Sequence, residues 1–394
     1  MENGAASQDE VDAVEARAES AIETATQFAL DSNFPDPAEL EKYVYAPSKW
    51  TAADFARERE LRARSRDGAG MRMIDYRAAL LEAAREEMQR DESVFIMGED
   101  VGLYGGAYGA TRGLLDEFGA ERVRDTPISE ATIGGAAVGA AMAGMRPVAE
   151  IMYVDFTPLA MDQIANQGAK NRYMFGGKTT VPMVIRTEGG AGRSIAAHHS
   201  QSLEALWTHF PGIYVVMPST PFDAKGLLKA AIRDDNPVMF IEHKMLYGVK
   251  GPVPEKEYLI PFGVADVKRE GSDVTVITYS RMVHRALEAA EKLAQEGVSV
   301  EVIDLRTLKP LDMETISKSV IKTGRVIGVT EAYKTGSFIS ELAMMIQEQL
   351  FDWLDAPIVR VAAADVPVPM SETLEDAAIP NVDKIIAGIR EALR

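Results

Sequence analysis

Glu130 closes the stretch Asp125-Thr126-Pro127-Ile128-Ser129-Glu130 and stands just before a run of very small residues, Gly134 to Gly144. A carboxyl group placed there suits acid–base chemistry in a crevice, where burial sets its pKa. It equally suits a plainer role, a first-turn carboxylate favoured by the helix dipole. A second candidate is His198-His199, flanked by Ala196-Ala197 and Ser200-Gln201. Adjacent histidines diverge, and no Glu or His follows at metal-ligand spacing, so an active-site edge is favoured over a metal pair. The plainer role is a helix start capped by Ser200, with Glu204 in its first turn. His209, His243 and His284 are scattered and read as structural or surface residues. No nucleophile–base–acid triad is recognisable.

The elements that must position these groups follow from local pattern. Gly134, Gly135, Gly139 and Gly144 lie within a helix rather than directly after a strand, so they fail the dinucleotide-binding fingerprint. A helix of Gly and Ala packs well where another backbone comes very close, which suggests a site built between subunits. Gly189-Gly190-Ala191-Gly192-Arg193-Ser194 reads as a flexible loop leading to the histidines. Asp234-Asp235-Asn236-Pro237 reads as a helix-ending turn whose oxygens are also available to a cation.

From Met71 onward the pattern is α/β. Tyr76, Ala79, Leu80, Ala83, Ala84 and Met88 form a helical stripe, and residues 224–232 a second helix. Apolar runs at residues 94–97, 148–152, 181–185, 215–217 and 238–241 predict strands. Apolar strands separated by helices imply a parallel sheet covered on both faces. The proline-rich stretch 250–261 reads as a linker. A second α/β unit then follows, with strands at 274–278, 299–303, 325–330 and 358–361 and a helix over 281–295. Residues 1–70 differ: Val14, Ala18, Ile22, Ala25 and Ala29 recur at helical spacing, Asn33, Pro35 and Pro37 break the pattern, and a charged helix occupies about 52–65. This segment reads as an arm that wraps a partner, against the alternative of a disordered leader.

Bulk composition narrows the function classes. At 394 residues the chain exceeds what one core usually holds. The formal charge of −18 argues against nucleic acid or an anionic membrane as partner. With no cysteine, thiolate chemistry, disulfides and Cys-ligated metals are excluded. No stretch reads as a membrane span, and the acidic N-terminus lacks the pattern of a signal or transit peptide, so the expected location is the cytoplasm.

Taken in order, Asp125 to Glu130, the Gly/Ala helix, Arg146-Pro147, Asp162-Gln163, Asn166-Gln167, Tyr173-Met174, His199-Ser200-Gln201, Pro211-Gly212, Asp223-Ala224-Lys225-Gly226 and the late Asp365-x-Pro367-x-Pro369 resemble the β subunit of thiamine-diphosphate-dependent 2-oxo acid dehydrogenases, the E1 component of pyruvate, acetoin and branched-chain complexes. The resemblance runs from about residue 72 to the end. It implies a transketolase-like pyrimidine-binding domain over 71–250 and a transketolase C-terminal domain over 262–394, both α/β, preceded by a helical N-terminal arm. It also implies a heterotetramer of two α and two β subunits holding thiamine diphosphate between them, a 2-oxo acid substrate, and acyl transfer to a lipoyl-bearing E2 partner.

Residue roles follow from the same resemblance. Glu130 matches the glutamate that hydrogen-bonds N1′ of the aminopyrimidine and favours the tautomer whose 4′-nitrogen takes the C2 proton. Ile128, Met152 and Phe156 match apolar positions around the pyrimidine, and His199 matches a histidine assisting substrate binding and acyl transfer. Met183, Ala231, Ile232, Asp234 and Asn236 match positions that hold a structural potassium ion (K+) in some members, largely through backbone carbonyls. The diphosphate-binding Gly-Asp-Gly motif is missing, so Mg2+ and the diphosphate are expected on an obligate α subunit. The segments 21–29, 35–40 and 43–45 resemble the tail of an α subunit, as though that tail had been fused onto β. Glu150 and the Ala196-Ala197-x-His199 context favour pyruvate, with acetoin close behind and branched-chain 2-oxo acids third. Competing readings are half of a split transketolase or deoxyxylulose-phosphate synthase, and a non-catalytic scaffold.

Overall fold

The computed structural model describes residues 4–68 and 70–394. The chain divides after Tyr43 into two units. The first is built on one long helix, α1 (Gln8–Asp31). Its start is fixed reciprocally: Ser7 Oγ accepts from the Glu10 N–H at 3.3 Å, and the Glu10 carboxylate accepts from the Ser7 N–H at 2.8 Å. No residue of α1 is buried, and Val14, Ile22 and Phe28 are exposed. The helical stripe read in the sequence is present without an apolar partner inside its own unit.

The second unit opens with an extended segment and α2 (Ala52–Asp67), which ends on Gly68 in the left-handed conformation at φ +67°. The first domain continues through β1 (Met71–Asp75), α3 (Tyr76–Arg90), β2 (Val94–Gly98), α4 (Leu114–Phe118), β3 (Val123–Asp125), α5 (Glu130–Met142), β4 (Arg146–Tyr153), α6 (Asn171–Met174), β5 (Val184–Gly189), α7 (Glu204–Thr208), β6 (Tyr214–Val216), α8 (Pro221–Arg233), β7 (Val238–His243) and β8 (Lys250–Pro254). The second domain comprises β9 (Asp266–Arg269), β10 (Val274–Thr278), α9 (Met282–Ala294), β11 (Val300–Asp304), β12 (Thr307–Lys309), α10 (Met313–Thr323), β13 (Val326–Tyr333), α11 (Phe338–Leu350), β14 (Val359–Ala363), α12 (Glu372–Ala378) and α13 (Val382–Ala392).

The main sheet runs β12-β6-β7-β5-β4-β2-β3. Its six first-domain strands pair in parallel, and β12, lent by the second domain, adds antiparallel to β6. Strands β2, β5 and β7 are buried along their whole length, as expected for a parallel sheet covered on both faces. The helix pair α3 and α8 covers one face, with Tyr76, Leu80, Leu227 and Phe240 in one cluster. On the other face Ile133 and Ala137 of α5 join Ile151, Ile185 and Ile241, and the same core continues to Ile277, Ile303 and Phe338 of the second domain. The second sheet runs β14-β13-β10-β11-β9, parallel except for β9.

Three local expectations shift. The strand read at 181–185 begins at Val184, because Pro182 has no N–H to give a ladder. The stretch read as a linker is half strand: β8 pairs antiparallel with β1, Met71 opposite Pro254. The arm is also not uniform. Tyr45 stacks on Tyr214 at 4.8 Å, the Ala46 N–H reaches Asn236 Oδ1 at 2.6 Å, and Lys49 meets Asp235 at 2.6 Å. Residues 44–68 therefore belong to the body.

Candidate functional site

In an open parallel sheet the strand carboxyl ends face a crevice. Here that edge collects Glu99-Asp100 after β2, Asp125 to Glu130 after β3, Met152 to Phe156 at the end of β4, Glu188-Gly189 at the end of β5, and Glu242-His243-Lys244 at the end of β7. Both sequence candidates, Glu130 and the loop carrying His199, lie along it.

Glu130 is the first residue of α5. The turn before it is pinned: Asp125 Oδ1 and Oδ2 accept from the Gly102 and Leu103 N–H groups at 2.6 and 3.2 Å, and the Thr126 N–H donates to Gly98 O at 2.9 Å. Glu130 is half-buried, and among the described residues its carboxylate makes no hydrogen bond or ion pair. Burial, then Asp100 and Glu130, push the Glu99 carboxyl up, which marks an acidic mouth. Ile128 is 74% exposed. The glycine reading holds within the chain: a Cβ on Gly134 would stand 3.1 Å from Ala160 Cβ. Gly139 has nothing within 4 Å and lies on the open face of α5 with Ala131 and Ala136.

His199 is seated edge-on against Tyr153 and Phe156, with ring centroids at 4.8 and 5.5 Å. Met152, near the end of β4, and Phe156, in the 3-10 turn that follows that strand, are both half-buried. Below lies a group the sequence reading passed over. Lys244 donates to the His199 carbonyl, sits over the Tyr153 ring and stands 3.6 Å from Glu188. Tyr108 donates to Glu188 at 3.3 Å and shares a 3.2 Å hydrogen bond with Tyr153. Burial raises the Glu188 carboxyl to about 8 against the pull of Lys244, and burial lowers the Lys244 ammonium. Beneath this pair Arg186 bridges Glu150 and Glu242, all three buried.

Residues 72–250 match the transketolase pyrimidine binding domain, and residues 263–385 match the transketolase C-terminal domain. The 2-oxoisovalerate dehydrogenase subunit beta of Bacillus subtilis is 51% identical over 324 residues, 82% of this chain and 99% of that protein. Acetoin:2,6-dichlorophenolindophenol oxidoreductase subunit beta of Cupriavidus necator is 49% identical, covering 82% and 98%. Pyruvate dehydrogenase E1 component subunit beta of Rhizobium meliloti is 47% identical, covering 82% and 70%. A solved split gene transketolase, an inactive beta4 tetramer, superposes with a TM-score of 0.67 at 26% identity, covering 81% and 98%. The chain belongs to the E1 β-subunit family of thiamine-diphosphate-dependent 2-oxo acid dehydrogenases.

Several features of this E1 β chain depart from the sequence expectations. Ser200 does not cap a helix: α7 begins at Glu204, and the buried Ser200 hydroxyl has no hydrogen-bond partner among the described residues. Glu204 turns instead to Tyr279 Oη at 2.7 Å in the second domain. His243 is neither surface nor isolated; it is buried 3.0 Å from Glu331. Glu150 is committed to Arg186, so its identity reads the packing under the site rather than the substrate.

The five residues that the resemblance assigns to potassium gather where α8 meets β7 and β5. Met183 O accepts from the Val238 N–H at 2.9 Å, Ala231 O from the Asp234 N–H at 3.3 Å, and Ile232 O and Asp234 O from Arg146 at 3.1 and 2.8 Å. Asn236 bonds the Asp234 carboxylate at 2.8 Å, completing the helix-ending turn. Among the described residues no three His, Cys, Asp or Glu side chains gather as a metal site. No described helix is long and apolar enough to cross a membrane.

The missed residues had one signal. Glu242-His243-Lys244 and Glu188-Gly189-Gly190 are charged or glycine-rich runs directly after apolar strands, the place where an α/β crevice recruits its groups.

Proposed function

We propose that this chain serves as the β half of a 2-oxo acid dehydrogenase E1, completed by an α subunit in a heterotetramer of two α and two β subunits. The supporting observation is Glu130: a half-buried carboxylate at a helix start on the strand-end edge, unengaged among the described residues, with exposed Ile128 near it. Such a group fits a polar ring nitrogen flanked by apolar contacts. When bound, thiamine diphosphate supplies the carbon nucleophile and electron sink for decarboxylation. The part of this chain is to hold a proton and hydrogen bond at N1′ through Glu130, to pack the pyrimidine with Ile128, Met152 and Phe156, and to present His199 to the substrate and the incoming lipoyl group. The half-buried Tyr153–Phe156 wall against His199 limits water on that side.

Mg2+ and the diphosphate belong to the α partner in this reading. A K+ ion is proposed at Met183, Ala231, Ile232, Asp234 and Asn236, where the carbonyl oxygens of Met183, Ala231, Ile232 and Asp234 each keep a lone pair beyond the hydrogen bond described above; stabilisation by KCl equal to that by NaCl would refute it. Pyruvate is the proposed first substrate, supported by the Ala196-Ala197-x-His199 context. Residues 1–43 are proposed to dock on the assembly as an α-type tail: the Bacillus subtilis and Cupriavidus necator relatives are covered almost end to end by 82% of this chain, and the transketolase domains begin at residue 72.

The deciding experiment is co-purification with an α-type subunit followed by ferricyanide-linked decarboxylation of pyruvate, acetoin and 3-methyl-2-oxobutanoate, with and without thiamine diphosphate and Mg2+. Cofactor-dependent turnover supports the reading and ranks the substrates. A stable heterotetramer with no turnover on any of them would turn the assignment toward sugar-phosphate chemistry or a scaffold.

A further inference from the structure

The loop that ends in His199 is gripped by the second domain. It closes on itself where the Gly190 N–H donates to Gln201 O at 2.8 Å, making a compact loop with adjacent ends. Inside it, four residues take left-handed backbone: Gly190 at φ +81°, Gly192 at +110°, Ser194 at +54° and Ala196 at +63°. For Ser194 and Ala196 that conformation is costly and persists only where the surroundings enforce it.

The enforcing groups are visible. Glu375, buried on α12, accepts from the Gly192 N–H at 2.8 Å and the Ser194 N–H at 3.0 Å with its two oxygens. Glu331, at the end of β13, accepts from the Ala191 N–H at 2.7 Å with one oxygen and meets His243 at 3.0 Å with the other. Arg281 donates to Ala191 O at 2.9 Å. The glycines are there because these partners lie on the backbone: a Cβ on Gly190 would overlap the His243 ring, and one on Gly192 would stand 2.6 Å from Arg281 Nη1. What the sequence suggests as a flexible loop is therefore a clamped one, and three amide groups of the first domain, those of Ala191, Gly192 and Ser194, depend on two carboxylates of the second.

We propose that Glu331 and Glu375 are positioning residues for His199, holding its loop in a strained conformation so that the second domain sets the geometry of an active-site side chain it does not itself carry. Carboxylates suit the task because a buried one accepts two N–H bonds at once, and charge-assisted bonds are the strong ones. Glutamine at position 375 keeps one acceptor oxygen and puts an amide donor against the second N–H. The proposal rests on the role given above to His199.

The test uses the assembled α/β enzyme and four forms: wild type, E375Q, H199A and the double variant, with E331Q as a second probe of the same clamp should E375Q assemble poorly. Amide hydrogen exchange over residues 189–201 is read first. Faster exchange in E375Q or E331Q is expected, and unchanged exchange overturns the clamp. Next, kcat and KM are measured with lipoyl-E2 as acceptor. A loss of about tenfold to a hundredfold in kcat is expected for E375Q, the scale of a misplaced reactive group. The same change in the H199A background should produce little further loss, since residues acting through one another are not additive. Equal fold-losses in both backgrounds would overturn the positioning role. Wild-type assembly that shows faster exchange on E375Q but no turnover in any form would instead refute the proposed function and leave the clamp intact.

Discussion

Arg306 of the second domain donates to Glu58 of α2 at 2.9 Å, and neither side chain meets solvent. The same guanidinium reaches Asp223 of α8 at 3.1 Å, so one residue ties the N-terminal segment, the first domain and the second. Removing one member of a buried pair is far more costly than the pair is worth, because it strands a charge. Glu58→Ala is expected to lower unfolding stability by about 3–5 kcal/mol. Denaturant unfolding of the β chain in its assembly measures it, and a change below ~1 kcal/mol would mean that Asp223 alone satisfies Arg306.

That contact also decides how the arm must be cut. Deleting residues 1–70 removes Glu58, Tyr45 and Lys49 together, so it would damage the body whatever the arm does. Deleting residues 1–43 removes only the first unit, in which no residue of α1 is buried. The shorter deletion is expected to leave the thermal midpoint of isolated β within a degree or two while weakening heterotetramer formation. Sedimentation at graded protein concentration reads the assembly; unchanged association would remove the tail-docking proposal.

Glu130→Gln keeps the size and the helix start but loses the carboxyl group. Turnover in the presence of thiamine diphosphate is expected to fall by about 10²–10⁴, the range for a positioned acid–base group, with assembly unaffected. Steady-state decarboxylation and sedimentation on one preparation separate the two effects. Full activity would show that Glu130 is only a dipole-complementing residue of α5.

Gly190→Ala is expected to be more damaging than any other single glycine change in the His199 loop. The added methyl would both occupy the place of the His243 ring and force a φ of +81° on an L residue. A loss of more than about 2 kcal/mol, or of activity with slower assembly, is the expected outcome. Wild-type behaviour would imply that the loop is looser than its hydrogen bonds require.

The sequence disclosed what depends on local pattern and less of what depends on distant partners. Strands β2 and β7 and the stripe of α3 were legible because apolar runs and helical spacing are local signals. The place of Glu130 at the start of α5 was legible because a Gly/Ala run follows it directly. The shell of His199 was not: Tyr108, Tyr153, Glu188 and Lys244 come from four separated segments, and Glu331 and Glu375 from another domain. Nothing local distinguishes Glu375 from the neighbouring acids of α12. The fully buried Lys225 and Lys229 were equally hidden, since the Glu82, Glu86 and Glu87 face of α3, with Glu257 beside Lys229, makes their burial tolerable.

Two buried carboxylates should pull the stability of this protein in opposite directions with pH. Burial raises Glu331, but His243, Arg281 and the Ala191 N–H outweigh it and hold the carboxyl at about 2, below its ordinary 4.5. Its contribution is complete above the unfolded value and is lost as pH falls from 4.5 toward 2. At ~1.4 kcal/mol per pH unit that amounts to roughly 3 kcal/mol. Glu188 is the reverse case: burial outweighs Lys244 and Tyr108 and raises it to about 8. The folded chain then binds a proton that the unfolded chain releases, so this contribution is full below 4.5 and drains away as pH rises through about 8. Glu188→Gln mimics the protonated form and should remove the fall in stability between about pH 4.5 and 8 while leaving the loss below 4.5 unchanged. Chemical denaturation of both forms between about pH 5 and 9 measures this; an identical slope between about pH 5 and 8 in the two would mean that Glu188 stays ionised beside Lys244.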